Sequence, residues 1–264
     1  MLKSESRVGL PWMRGLMGMA AVVALGGALL WPRVCGSAGM EVSPTLLEIS
    51  PPQPAEGILL RNRGTQAIHA QVRVFAWSQK EGQDLLAPTG DLTISPPMLR
   101  IPPGGRQLLR VIRTSSRGDG VEGEKAYRLV VDELPLHSTA LLDSESPRKA
   151  HSELSFLVRY SLPVFVGHAT PAGVPPVLQW SLDCSVNPWT LKVRNHGDFH
   201  AQIADLRTTL DDGSRVLVYG GLLGYVLAGQ SMQWTITPLA HSRCIKGLDA
   251  MVNRNMVSVY ELAP

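Results

Sequence analysis

The chain has little cysteine, little aromatic side chain and little charge. Of its 264 residues only three are cysteine; aromatic residues make up 6% and charged residues 18%. Three cysteines are too few for a small disulfide-stapled scaffold. There is no HExxH motif, no Gly-x-Ser-x-Gly elbow and no GxxxxGK[ST] phosphate loop; Gly220-Gly221-Leu222-Leu223-Gly224 lacks the lysine such a loop needs. The seven histidines (His69, His137, His151, His168, His196, His200 and His241) are scattered. His196 and His200 are four apart, but Gly197 and a strand context deny them the helix on which that spacing makes metal ligands. Both are expected as solvated turn residues. Asp132 and Glu133 are adjacent on an expected strand and so face opposite ways, a poor geometry for paired acid–base work. Arg117-Gly118-Asp119-Gly120 reads as a Gly- and Asp-rich turn rather than an integrin ligand. Nothing here supports an enzyme, and no metal or cofactor is expected.

Charge of one sign is also missing from most of the chain. The formal net charge is +3, but Lys3, Arg7, Arg14 and Arg33 stand against Glu5 alone in residues 1–39, and the remainder balances at 21 bases and 21 acids. Bulk charge therefore gives no basis for a nucleic-acid partner. After the basic start, Gly15–Pro32 is an apolar run, followed by the small residues Gly36-Ser37-Ala38. Residues 1–38 read as a secretory signal peptide cleaved after Ala38; an uncleaved membrane anchor is the alternative. No second apolar run of that length follows. Cys35 would leave with the signal. Cys184 and Cys244 remain, either as a disulfide in an oxidising compartment, worth about 4 kcal/mol, or as two separate buried thiols.

What the chain does have is strand pattern and turns, with 25 glycines and 20 prolines. From Ile68 to Val74 apolar and polar residues alternate, a half-buried strand. Val42–Ser50 reads as a strand broken by Pro44 at a sheet edge. Ile58–Arg61, Leu92–Ser95, Met98–Ile101, Gln107–Arg113 and Ala126–Leu134 add further strands. Asn62-Arg63-Gly64 and Pro102-Pro103-Gly104-Gly105 are turns. Residues 136–152 read as a long mobile loop. Leu154–Val166 reads as one long strand with every even position apolar, and Pro163 implies a free edge there. Residues 167–176 read as a linker. Short strands follow at Leu178–Leu182, Trp189–Arg194, Ala201–Arg207, Ser214–Val218, Met232–Ile236 and Val257–Leu262. Frequent turns between short strands predict an all-β protein of two sandwiches, 40–166 and 177–264.

Edge strands usually hide by charge or brevity, and Leu154–Val158 shows neither. The segment is either an ordinary core strand or an edge that pairs with another chain.

Several motifs together resemble one family. Ile94-Ser95-Pro96-Pro97-Met98-Leu99-Arg100-Ile101-Pro102-Pro103-Gly104-Gly105, then Gln107 and Leu109-Arg110-Val111-Ile112-Arg113, resemble the signature of periplasmic pilus assembly chaperones. Tyr127-Arg128-Leu129 with Asp132-Glu133-Leu134-Pro135, and Arg159–Val166, resemble their next two strands. Asn195-His196-Gly197 with His200-Ala201 and Leu206, and Gly224–Gly229, resemble the branch serving archaic, spore-coat-U-like pili. The resemblance implies two immunoglobulin-like sandwiches at an angle and a function by donor-strand complementation. In it, the strand before the linker completes a pilin subunit that lacks its last strand, and the subunit then passes to an outer-membrane usher without ATP. An alternative of another class is a secreted structural or adhesive sandwich subunit; Met40–Ser50 offers neither a donor extension nor a missing strand for that role.

The resemblance also implies basic residues in the cleft that grip the subunit's terminal carboxylate and so set register. The better-known branch places one base on the first strand, but Val42-Ser43-Pro44-Thr45 has none. Arg128 and Arg159 are the expected anchors; the alternative is two solvated arginines. Leu154, Phe156 and Val158 are the expected donated side chains, with Leu157 the competitor if the register differs by one. The free protein either leaves this edge open or hides it by self-association.

Overall fold

The computed structural model describes residues 39–50, 53–114, 123–135, 157–167, 176–185, 187–209, 214–237, 245 and 247–259. The expected signal peptide, the loop at 136–152, the Arg117–Gly120 turn and most of the 167–176 linker lie outside them.

Alternation of apolar residues makes the first sandwich. Its strands are β1 (Met40–Ser43), β2 (Leu47–Ile49), β3 (Ala55–Asn62), β4 (Ile68–Lys80), β5 (Gln83–Pro88), β6 (Leu92–Ser95), β7 (Met98–Ile101), β8 (Arg106–Arg113), β9 (Lys125–Leu134) and β10 (Arg159–Val166). One sheet has the order β1-β3-β8-β6; the other runs β2-β10-β9-β4-β5, with β7 also on β4. Ile68, Ala70 and Val72 of β4, Leu129 and Val131 of β9, and Leu162, Val164 and Val166 of β10 turn inward onto Ile58, Leu60, Leu109 and Val111. Burying each such side chain contributes roughly 1.5–3 kcal/mol.

The second sandwich is built from β11 (Leu178–Asp183), β12 (Trp189–Asn195), β13 (Ala201–Thr209), β14 (Arg215–Val226), β15 (Ser231–Ile236), β16 (Leu248–Val252) and β17 (Asn255–Val259). Its sheets run β11-β12-β15 and β14-β13-β16-β17. Trp180, Trp189, Leu191, Ile203, Leu206 and Val226 fill its core. Among the described residues all structure is strand and turn, in two immunoglobulin-like sandwiches.

The two sandwiches share a corner device. Asn62 ends β3 fully buried; its amide donates to Gln66 O at 2.6 Å and Ile101 O at 3.0 Å, and its Oδ1 accepts from Gly64 N at 2.8 Å. Asn195 ends β12 in the same way, donating to Phe199 O at 2.7 Å and Val226 O at 3.1 Å and accepting from Gly197 N at 2.9 Å. Each Asn-x-Gly turn thus ties a loop to a neighbouring strand and leaves no buried polar atom unpaired.

Several expectations need correction. Leu154–Val166 is not one strand throughout: Leu157 and Val158 are described and stand outside it, and Leu154 and Phe156 lie outside the described residues. Pro135 follows β9 and has no N–H, so the ladder loses a donor there. Val158 N turns to the Glu133 side chain, with Oε2 at 3.3 Å. β5 and β16 were not expected at all. β14 runs on past Val218, where the expected strand ends, through Gly220, Gly221 and Gly224. The glycines accommodate irregular pairing with β13. Gly221 and Asp205 both have positive φ, and Gly221 N donates to Asp205 Oδ1 at 2.7 Å. His200 is not a solvated turn residue; it is 5% exposed.

Ala38–Pro264 is one compact unit, and several contacts between described residues join its sandwiches. Trp77, Phe165, Tyr225 and Leu227 form an apolar cluster of their own. Gln79 of β4, also buried, donates through Nε2 to Tyr225 O at 2.8 Å and accepts from Leu227 N at 3.0 Å. The His200 ring stacks on Phe165 with centroids 3.5 Å apart and planes 3° from parallel. Its Nδ1 lies 2.8 and 2.9 Å from the two Glu124 carboxylate oxygens, and its backbone N donates to Glu124 at 2.9 Å.

Both partners of this His–Glu pair are almost wholly enclosed. Removing one strands the other's polar atoms away from water. Glu124→Ala is expected to cost about 1–3 kcal/mol in urea unfolding. A double-mutant cycle with His200→Ala should show coupling above about 1 kcal/mol; additive effects would contradict the contact.

Candidate functional site

β10 has two unlike edges. On one it pairs antiparallel with β9, from Arg159↔Asp132 to Val166↔Lys125. On the other, β2 runs parallel to it over Val164–Val166 only. Glu133 N donates to Val158 O at 3.0 Å, which marks that couple as a bonded pair. Bonded and non-bonded pairs alternate along an antiparallel ladder. The backbone groups of Arg159, Ser161 and Pro163 therefore point away from β9. No described strand pairs with them there. Pro163 occupies the open edge, where its missing N–H breaks no ladder bond.

Parity divides the side chains of this strand. Leu162, Val164 and Val166 are buried in the protein's own core, with Tyr160 packed beside them. Tyr160 also donates its hydroxyl to Met40 O. Beyond Tyr160 that core ends: Val158 is half-buried and Leu157 exposed. Residues at odd positions of β10 share the opposite face with Arg73, Phe75 and Trp77 of β4 and with Arg128, Val130 and Asp132 of β9.

Arg128 lies where that face meets the second sandwich. Its guanidinium carbon is 3.6 Å from the Trp77 ring centroid and 5.7 Å from that of Tyr225. Only 15% of its side chain is exposed. Asp84 Oδ2 is 3.7 Å from an Arg128 nitrogen, an ion pair too long to be a hydrogen bond. Burial lowers the guanidinium pKa from its ordinary value, with Asp84 and Tyr225 pulling the other way; it stays charged at any physiological pH. Among the described residues nothing accepts a hydrogen bond from it. Trp77 Nε1 is likewise buried with no acceptor. One buried donor, Trp77 Nε1, and one mostly buried cation are thus left without a hydrogen-bond acceptor, next to Pro163, the cross-strand partner of Arg128.

Arg159 is placed differently. It is on the same face but opposite Asp132, four residues along β9, or about 13 Å from the Arg128 position at the usual strand rise. Its Nε donates to Asp132 Oδ1, and Arg73 donates to Asp132 Oδ2 at 2.6 Å. Burial raises the Asp132 pKa, but the hydrogen bonds and charges of the two arginines outweigh it, so the carboxyl stays below its ordinary value. The fold does not bring Arg128 and Arg159 together. Cys184 is disulfide-bonded, and Cys244 lies outside the described residues.

Trp77, Gln79, Asp84, Glu124 and Tyr225 were not singled out from the sequence. One signal was available. The outward positions of β4 are polar at His69, Gln71 and Arg73 and turn aromatic at Phe75 and Trp77, as expected where a strand leaves solvent and meets a second packed surface.

Comparison with known proteins bears on these features. Residues 39–174 match the family model described as pili and flagellar-assembly chaperone, PapD N-terminal domain. A chain of the CsuC–CsuE chaperone–tip adhesion subunit pre-assembly complex, from the archaic chaperone–usher Csu pili of Acinetobacter baumannii, is 25% identical. It superposes with a TM-score of 0.61 over 86% of this chain and 100% of that one. The SafA pilin–SafB chaperone complex of Salmonella enterica gives 16% identity and a TM-score of 0.56, over 84% of this chain and 96% of that one. The CupB2 chaperone of Pseudomonas aeruginosa gives 14% and 0.52, over 83% and 100%. These last two bear on the fold alone. Among curated proteins, none matches the sequence.

The lowered carboxyl of Asp132 has a consequence in acid. Stability from its pairing is present above the unfolded-state pKa near 4 and is lost as pH falls through the lower folded-state value. Asp132→Asn should cost up to about 1 kcal/mol at pH 7 in urea unfolding, since both arginines are largely exposed. The gap from wild type should shrink progressively as pH falls below about 4.

Proposed function

The chain belongs to the family of pili and flagellar-assembly chaperones, and from that membership we propose how its residues cap a pilin subunit. It is a chaperone of pilus assembly that acts by donor-strand complementation. A pilin that lacks its last strand exposes an unpaired sheet edge and an open apolar groove, both prone to aggregation. The open edge of β10 carries the proposal: it offers backbone groups with no partner at home, in a strand otherwise locked by its inner face.

The segment ahead of β10 supplies the side chains. Leu154, Phe156 and Val158 share the parity of Tyr160 and Leu162, so a strand continued outward would aim them at the core of a joined sandwich. Three such side chains contribute about 5–9 kcal/mol before ordering costs. Arg128 takes the subunit's terminal carboxylate. A mostly buried guanidinium with unused N–H groups gains a charge-assisted, two-pronged partner at a smaller desolvation cost than a fully exposed one. Arg159, further along the same face, would meet a different part of the subunit, held meanwhile by Asp132. Membership also implies a periplasmic site of action after removal of residues 1–38, with transfer of the subunit to an outer-membrane usher. The domain division at 40–166 and 177–264 follows the two buried cores.

Co-expression tests this. A pilin subunit encoded beside this chain should stay soluble only in its presence, as a one-to-one complex. Arg128→Ala should weaken that complex about 30-fold or more while the free protein keeps its unfolding midpoint within a few degrees. Arg159→Ala should weaken it less. A complex indifferent to both substitutions would remove the anchor role, and a subunit soluble alone would remove the chaperone role.

A further inference from the structure

We propose that Asp84 is a built-in competitor for the Arg128 guanidinium, a resident carboxylate that limits how tightly this chaperone holds its subunit's terminal carboxylate. The inference rests on Arg128 as the anchor and concerns what restrains it.

Asp84 is the one anion facing that guanidinium among the described residues, with Oδ2 at 3.7 Å. The distance excludes a hydrogen bond, so Asp84 does not orient Arg128; the face of Trp77 at 3.6 Å does. Nor is Asp84 free to swing aside without loss. Its Oδ1 accepts from Gln79 Nε2 at 3.0 Å, and Gln79 is itself tied to Tyr225 O and Leu227 N of the second sandwich. The carboxylate is therefore held near the cation by the same network that joins the sandwiches. An incoming carboxylate meets a site whose charge is already balanced, and the two anions repel across the guanidinium. A chaperone that must later release its subunit gains from such a restraint, because it shortens the lifetime of the complex without altering the donated strand.

The test uses the full chain and a pilin subunit encoded beside it, made with a free or an amidated C-terminus by intein-mediated ligation. Dissociation rates of both complexes are measured with wild type, Asp84→Asn and Asp84→Ser. Asparagine keeps an acceptor for Gln79, so the joining network survives. With the free carboxylate, Asp84→Asn should slow dissociation about three- to tenfold; with the amide it should change nothing. An unchanged or faster rate with the free carboxylate would overturn the competitor role, and so would an equal gain on both subunits. Should wild type hold the amidated and free subunits equally well, the anchor assignment of Arg128 fails, and this inference falls with it.

Discussion

Backbone amides have to be paired, and β10 meets that demand on one side only. Its bonds to β9 and the burial of Leu162, Val164 and Val166 hold it rigidly in the first sandwich. β2 reaches only its last three residues, so the outward groups of Arg159, Ser161 and Pro163 are left facing out. A fully paired strand would have nothing to lend. A strand paired on neither side would lack a fixed direction, and the entropy of ordering it would consume the gain from binding. Half-pairing combines a preorganised backbone with open hydrogen-bonding capacity.

The contact between the sandwiches depends on the same strand. Phe165, one residue before its end, carries the stacked ring of His200 and touches Trp77 and Tyr225. The aromatic cluster therefore sits at the end of β10, and Arg128 rests on its edge over Trp77. Packing against Trp77 and Tyr225 shields much of this guanidinium from water, which raises the value of a carboxylate partner. The second sandwich thereby acts on the site without supplying a charged group to it.

Much of this was legible before any coordinates. The alternation in β4 and β10, Pro163 at an open edge and the Pro102–Gly105 turn follow from period and from the special chemistry of proline and glycine. The limits of β10 were less accessible, because apolar residues continue upstream and the loss of a donor at Pro135 acts across the sheet. The run of β14 through Gly220 and Gly221 was hidden because glycine signals a turn and a bulge equally well. His200 looked like a turn residue because its partners, Glu124 and Phe165, are distant in the chain.

Local order thus settled the all-β class and most strands, since strand period and turn chemistry act between near neighbours. The face on which each arginine falls followed from parity as well. Their difference in role did not. Arg128 is mostly buried, while Arg159 is exposed and bound to Asp132, only because two sandwiches and three strands converge there. Solvent exclusion belongs to no single segment, and it is what separates a mostly buried guanidinium from an ordinary surface charge.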